Sequence, residues 1–237
     1  GSVSMYANAS FRLEMNDSVI DYKSDKYCAL ALEGQGTAII NNSNIHGSIN
    51  TFAKTNAELD INNSEADYIL LHGQTWMNML NSTVRAKDDS CLYLSDDCWS
   101  NIMNSKFNGG VYIDKKTRTI IQNCTINRMV VINEAKVTMS NSTVTAHSDF
   151  QDQSSCEATR VSFMGNMDYE YFLALSGNAH LRGHDLLLHP NGADLTIQDE
   201  AKLHTNVIAD KGEKLSVECD KRPNVYILGV QWTAKRK

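Results

Sequence analysis

Two tryptophans and an arginine are the residues of this chain whose types and spacing best suit a binding function. Trp76, Trp99 and Arg118 each lie six residues before a small residue that directly follows an asparagine. Other copies of this pattern have a polar residue at the same position, which indicates an outward side chain: Arg12, Thr37, Glu58 and Lys136. If consecutive copies stack about 4.8 Å apart, as neighbouring β-strands do, the two indoles form an exposed aromatic platform. Such a platform suits sugar rings or a protein contact; the alternatives are a loop that covers the indoles or a corner that turns them inward.

Residues that could catalyse glycan cleavage are present but scattered. The acidic pairs Asp88-Asp89 and Asp96-Asp97 flank an apolar run at 91–94, and the basic residues Lys115, Lys116 and Arg118 follow. A glycoside hydrolase needs two facing carboxylates, and a lyase needs a basic residue beside acids that bind calcium. Acidic pairs in turns are more often solvated residues that shape the turn. We therefore expect no catalytic residues, and a carbohydrate-active enzyme is kept as the alternative.

Histidines and cysteines offer weaker candidates. His180 and His184 would lie on one face of a strand, about 13 Å apart at about 3.3 Å per residue. That distance is too large for a shared ion, so we predict no metal site and no cofactor. Six cysteines are present, and Cys91 and Cys98 could form a short-loop disulfide in an oxidising compartment. Cys124 replaces the small residue after an asparagine, so we expect a buried thiol there.

A repeat of about 20 residues must position all of these side chains. Three residues before the small residue the chain is apolar in all seven copies: Met15, Ile40, Ile61, Met79, Ile102, Ile121 and Met139. Five residues before it the chain is again apolar in five copies, with Ser100 and Thr119 as exceptions. This period of two predicts a strand with one buried face. A second short apolar run follows in each copy, as one turn of a solenoid requires.

The recurring asparagine supports the same fold. It fills six of the seven copies: Asn42, Asn63, Asn81, Asn104, Asn123 and Asn141. Asparagine is the non-glycine residue that most readily adopts a left-handed backbone conformation, which a tight corner between two sheets requires. We expect the stacked amides to form an internal polar ladder. The sequence therefore predicts an all-β fold, a right-handed, single-stranded parallel β-helix of about ten rungs.

The domain prediction follows the repeat along the chain. Residues 147–156 lack periodicity and are expected to form a side loop, and strand-like runs return at 171–175, 186–189, 195–197, 207–209 and 225–228. We therefore expect one β-helix domain over residues 1–237, in which Gly1-Ser2 resembles an expression scar. No capping element is evident for the terminal rungs, which favours a fragment of a longer protein or self-association through the ends.

The copies Ile40-Asn-Asn-Ser-Asn-Ile45 and Val137-Thr-Met-Ser-Asn-Ser-Thr-Val-Thr-Ala146 resemble the passenger segments of bacterial autotransporter adhesins. Pectin-lyase-like enzymes and phage tailspikes have the same fold and similar asparagine corners. The resemblance implies a passenger displayed on the bacterial cell surface or secreted, serving adhesion, self-association or host contact. Six cysteines depart from the family pattern, since such passengers have few or none.

The net charge of the chain limits the classes of partner that it is expected to bind. With 22 Lys plus Arg against 28 Asp plus Glu, the net charge is −6, which argues against nucleic acid. No apolar run approaches the ~18 residues of a membrane span, so this segment is not expected to insert into a membrane.

The leading hypothesis is a non-enzymatic, surface-displayed binding or adhesion module whose partner is a glycan or a host or bacterial surface protein. The alternative is a polysaccharide lyase, a glycoside hydrolase or a phage tailspike fragment.

Overall fold

The computed structural model describes residues 3–5, 10–21, 28–86, 90–166, 168–191, 193–207, 215–219, 225–229 and 232–235, and every regular element in them is a β-strand. The chain divides into two compact units, residues 1–120 and 121–237. Each unit is a parallel β-solenoid, and together they contain about ten turns, which confirms the predicted β-helix. The boundary falls within one strand, β14 (Arg118–Gln122), and the expectation of a single domain stays a prediction.

The first unit is built from short strands that pair in parallel. They are β1 (Val3–Met5), β2 (Ser10–Asn16), β3 (Val19–Asp21), β4 (Leu30–Leu32), β5 (Gln35–Asn41), β6 (Asn44–Thr51), β7 (Asn56–Asn62), β8 (Glu65–Leu71), β9 (Trp76–Leu80), β10 (Thr83–Val84), β11 (Leu92–Leu94), β12 (Trp99–Met103) and β13 (Lys106–Ile113). Strands β2, β5, β7, β9 and β12 lie side by side and are called the front sheet of this unit. The other strands form its back sheet.

The predicted inner column is present in the first unit. Ile40 is paired with Ile61, Ile61 with Met79, and Met79 with Ile102, and all four side chains are buried. Met15 is paired with Ile40 and is half-buried. Alternate residues of each strand therefore fill the interior, as the period of two predicts.

The two polar exceptions in the second inner column are also buried. Ser100 and Thr119 occupy positions that are apolar in the other turns, and Ser100 Oγ donates a hydrogen bond of 2.9 Å to Thr119 Oγ1. Because each hydroxyl satisfies the other, the pair avoids the cost of an unpaired buried polar group.

The second unit repeats this arrangement. Its strands are β15 (Thr125–Val131), β16 (Lys136–Ser140), β17 (Thr143–Phe150), β18 (Ser155–Thr159), β19 (Ser162–Met164), β20 (Tyr171–Leu175), β21 (His180–His189), β22 (Asp194–Ile197), β23 (Lys202–Val207), β24 (Leu215–Cys219), β25 (Val225–Leu228) and β26 (Trp232–Lys235). Strands β16, β18, β23, β25 and the first half of β21 form its front sheet. The predicted run at 207–209 is described only to Val207, and the rest lies outside the described residues.

Residues 147–156 are not a side loop, and that prediction is wrong. They contain the end of β17, a short turn and the start of β18. Ser148 is fully buried and is paired with Met129 on one side and Leu173 on the other. A serine at an inward position, next to the buried His147, hides the alternation that marks a strand in the sequence.

The asparagine corners have the predicted backbone conformation. All six asparagines have φ between 49° and 54°. Asn104 Nδ2 donates to Asn81 Oδ1 at 3.2 Å, and Asn81 Nδ2 donates to Asn63 Oδ1 at 3.1 Å. These side chains are exposed, so the expectation of an internal asparagine ladder is wrong. The left-handed corner turns the side chain outward and leaves the following residue to face the interior.

The internal ladder is made of serines. Ser64 Oγ accepts a hydrogen bond from Ser43 N at 3.0 Å, and Ser82 Oγ accepts one from Ser64 N at 3.1 Å. Each hydroxyl also donates to the carbonyl two residues earlier, at 2.7 Å for Ser82 and Leu80. In the second unit, Ser142 Oγ accepts from Cys124 N at 3.0 Å. Cys124 is a buried free thiol, as predicted.

Replacing Asn104 with valine is expected to destabilise the chain by about 2 to 3 kcal/mol. The left-handed conformation costs a β-branched residue about 1 to 2 kcal/mol, and the lost hydrogen bond adds about 1. Asn104→Gly should cost less, because glycine tolerates this φ. Urea unfolding measures the difference, with the outward Lys106→Val as the matched control. Equal stability of Asn104→Val and Lys106→Val would contradict the corner.

Ser82→Ala is expected to cost about 1 to 3 kcal/mol, because it leaves the buried Ser64 N–H without an acceptor. Ser82→Cys should cost less than half as much, since a thiol already fills this position at Cys124. Chemical denaturation of the two variants and the parent measures this. An alanine variant as stable as the parent would show that the serine ladder contributes nothing.

Candidate functional site

The two tryptophans form the predicted stack. Trp76 begins β9 and Trp99 begins β12, and the two residues are direct register partners in the front sheet of the first unit. Their ring centroids are 4.9 Å apart with an interplanar angle of 29°. Trp76 is 55% exposed and Trp99 is half-buried. The side chains therefore face outward, and their role in ligand binding stays a prediction.

Charged residues lie at both ends of this stack, which we call the tryptophan platform (Trp76 and Trp99). Glu58 is the register partner of Trp76 on β7. On the other side, Arg118 N donates to Cys98 O at 3.0 Å, which places the exposed Arg118 beside Trp99. The platform therefore has an acidic neighbour at one end and a basic neighbour at the other.

A groove adjoins the platform on the Glu58 side. Its volume is about 410 Å³, and polar side chains line it together with Trp76: Gln35, Thr37, Asn56 and Glu58. The small residues Gly36 and Ala57 complete the lining. This groove is not predicted from the sequence, although Gly36 and Ala57 are small residues at the same position of consecutive strands. Polar groups next to an apolar face are the usual composition of a small-molecule site.

Two of the catalytic candidates, Asp96 and Lys115, lie at a second corner of the turn, which follows a back-sheet strand. Asp96 and Lys115 have φ of 68° and 56°, and Gly73 has φ of 76° at the same corner one turn earlier. Asp96 Oδ2 accepts the Gly73 N–H at 3.0 Å, and Lys115 Nζ lies 2.5 Å from Asp96 Oδ1. The same cap recurs in the second unit, where Gly177 N donates to Asp199 Oδ2 at 3.0 Å. Asp96 is therefore part of the architecture, and Asp88 and Asp89 lie outside the described residues.

The pKa shifts at this corner are opposite to what acid–base catalysis requires. The hydrogen bond from Lys115 holds the pKa of Asp96 below its usual range. The same bond raises the pKa of Lys115. A general acid needs a raised carboxyl pKa and a lysine base needs a lowered one. This pair keeps both charges at neutral pH, which favours a structural role.

Two further residues at this corner were not found from the sequence. Asp114 is buried and accepts hydrogen bonds from Tyr93 Oη at 3.0 Å and from Lys115 N at 2.6 Å. Burial raises the pKa of Tyr93. Both side chains anchor the corner, and no periodic apolar pattern marks them in the sequence.

Cys91 and Cys98 are free thiols, so the proposed disulfide is wrong. Cys91 directly precedes β11 and Cys98 directly precedes β12, so a strand and a corner separate them. Both are 1% exposed, and Cys98 Sγ donates to Gly73 O at 3.7 Å. Burial raises the pKa of each thiol to about 11, which keeps both protonated at neutral pH.

Among the described residues, no group of three or more His, Cys, Asp or Glu side chains is placed to hold a metal ion. His180 and His184 both lie on β21, as the sequence predicts. The nearest ring to His180 belongs instead to His204 on β23, with centroids 5.6 Å apart. In the part of the chain that the structure describes, no helix is long and apolar enough to cross a membrane.

Comparison with known proteins adds no relative: the chain matches no protein-family model, no curated protein and no solved structure.

Thiol labelling is expected to separate the six cysteines into one accessible and five protected groups. Cys28 is half-buried and the other five are buried. A maleimide at pH 7.5 should therefore modify Cys28 first and the remainder only after unfolding. Mass spectrometry of the unfolded, unreduced chain should count six labels. Four labels would show that a disulfide is present after all.

Proposed function

We propose that this chain is a non-enzymatic binding module, displayed on a bacterial surface or secreted, and that it contacts a glycan through the tryptophan platform. The observation that carries the proposal is the exposed, in-register stack of Trp76 on Trp99 beside a polar groove. Surface display and bacterial origin rest on the resemblance of the repeats to autotransporter passengers.

The platform has the properties of a preorganised carbohydrate site. Both indoles extend from paired β-strands, so little conformational freedom remains to be lost on binding. Stacking covers the faces that the two rings turn to each other, and the remaining surface of Trp76, which lines the groove, offers apolar area to the C–H groups of a sugar ring. Gln35, Asn56 and Glu58 in the adjoining groove supply donors and acceptors for hydroxyl groups. The guanidinium of Arg118 extends the site at the other end of the stack.

A protein surface is the other partner that the platform suits. Tryptophan and arginine are both enriched among the residues that dominate protein–protein affinity. The groove favours a glycan, because its polar lining forms a depression beside the rings and a flat protein contact would leave that depression unfilled.

The Trp76→Ala, Trp99→Ala double variant is expected to lose glycan binding by at least about thirtyfold, which corresponds to about 2 kcal/mol. Arg118→Ala should weaken binding less. A glycan array identifies the ligand, and calorimetry with that ligand measures the loss. Phe52→Ala is the matched control, because Phe52 is an exposed aromatic of the same unit outside the platform.

Two results would count against this function. Unchanged binding by the double variant would remove the platform from the site. Release of shortened products from the bound glycan by the parent chain would favour the carbohydrate-active enzyme instead. The free energy of unfolding of the double variant checks that both indoles face outward, because the loss of a buried tryptophan would cost about 3 to 5 kcal/mol.

A further inference from the structure

The front sheet of the second unit carries five basic side chains on two neighbouring strands, and one acidic side chain, the exposed Glu157 on β18, lies beside Arg182. Its outward side chains on β21 are His180, Arg182 and His184, and those on β23 include Lys202 and His204. We call these five residues the basic face. No ion pair joins Arg182 or Lys202 to any described residue. In a chain of net charge −6, such a concentration of basic side chains can attract an anionic ligand.

A groove of about 450 Å³ runs along this face. Basic side chains line one side of it, among them His180, Arg182 and His204. The other side is apolar, because Tyr226 and Leu228 on β25 are 57% and 51% exposed. The groove therefore offers positive charge and an aromatic ring to the same ligand.

Three rings on consecutive strands line the groove and contact one another in series. The centroids of His180 and His204 are 5.6 Å apart at 88°, and those of His204 and Tyr226 are 6.1 Å apart at 71°. His180 Nε2 is buried and has no hydrogen-bond partner among the described residues. A buried polar atom without a partner is uncommon in folded proteins, and here it lines a groove.

We infer that the basic face and its groove bind an anionic saccharide, with a sulfate or carboxylate group held among His180, Arg182, Lys202 and His204 and the sugar ring resting on Tyr226. Hydrogen bonds between cationic donors and an oxyanion are shorter and stronger than neutral ones. The site lies in the second unit, and it does not depend on the tryptophan platform of the first.

Binding is expected to strengthen as the pH falls. Burial, together with the positive charges of His204, Lys202 and Arg182, lowers the pKa of His180, while Glu157 on β18 acts in the opposite direction. His204 faces Arg182 and His180 on β21 and Tyr226 on β25. Without a ligand, His180 is therefore neutral at pH 7. A bound anion favours the protonated imidazole, so affinity rises as the pH falls through the pKa of the complex and levels off below that of the free chain.

The test measures the affinity of the full chain by calorimetry for dextran sulfate and for neutral dextran of the same length, at pH 7.5 and 5.5. Sulfate keeps its charge over this range, so any change with pH comes from the protein. We expect binding of dextran sulfate alone, about tenfold tighter at pH 5.5. Polygalacturonate tests whether the site binds a carboxylate. Binding of only one of the two polyanions shows whether the bound acidic group is a sulfate or a carboxylate. Binding of neither overturns the inference.

Three variants identify the residues. His180→Gln with His204→Gln should remove the pH dependence, and Lys202→Gln should weaken binding about tenfold at both pH values. Lys136→Gln is the matched control, since Lys136 lies in the same outward column, three strands away from Lys202. Equal loss in the Lys136 and Lys202 variants would show general charge attraction and overturn the site. Thermal unfolding confirms that each variant is folded.

Two further results separate this site from other possibilities. The Trp76→Ala, Trp99→Ala double variant should bind dextran sulfate like the parent, whatever its effect on the glycan of the proposed function. Loss of dextran sulfate binding in that variant would overturn the separate site. Tighter binding of a single-stranded oligothymidylate than of dextran sulfate would overturn the saccharide in favour of nucleic acid, which also combines stacking with positive charge.

Discussion

Nine described turns, from the corner at Asp17 to the corner at Asp185, pass through a residue with φ near +50°, and the rest of the structure depends on this left-handed corner. The corner ends one strand and begins the next at the same place in each turn. Strands of successive turns consequently pair without a shift in register across most of each front sheet. Residues about 20 apart in sequence thereby become direct neighbours. The tryptophan platform and the basic face both form because residues one turn apart in the sequence lie side by side on neighbouring strands.

Much of the fold could be predicted because the corner has a narrow chemical requirement. Asparagine meets it most readily among non-glycine residues, so it recurs and marks the repeat. The second corner has the same positive φ but is filled by Gly73, Asp96 and Lys115, three types with nothing visible in common. At this corner a carboxylate of the next turn accepts a hydrogen bond from the backbone N–H of the corner residue. Because the two residues belong to different turns, no local sequence pattern marks the corner. The strand around Ser148 is not predicted for a related reason: a buried serine occupies the inward position where an apolar residue would mark a strand.

The two binding surfaces differ in how far the sequence could reveal them. Trp76 and Trp99 occupy one column of a clear repeat, so their stacking followed from the register alone. In the second unit the repeat is weak, and the sequence reveals only the spacing of His180 and His184 along one strand. The close pair is His180 with His204, which lie on neighbouring strands and 24 residues apart. Proximity across strands becomes predictable only once the corners of both turns are located.

The serine ladder has a consequence for the chemical ageing of the corners. Deamidation of asparagine begins when the backbone nitrogen of the next residue attacks the side-chain amide. In the first unit the nitrogens that follow Asn42, Asn63 and Asn81 each donate to a serine hydroxyl of the next turn. Attack requires that this hydrogen bond be broken and that the backbone leave its packed position. The exposed asparagines are therefore protected by a bond in the interior, and their chemical lifetime is tied to the local stability of the turn that follows.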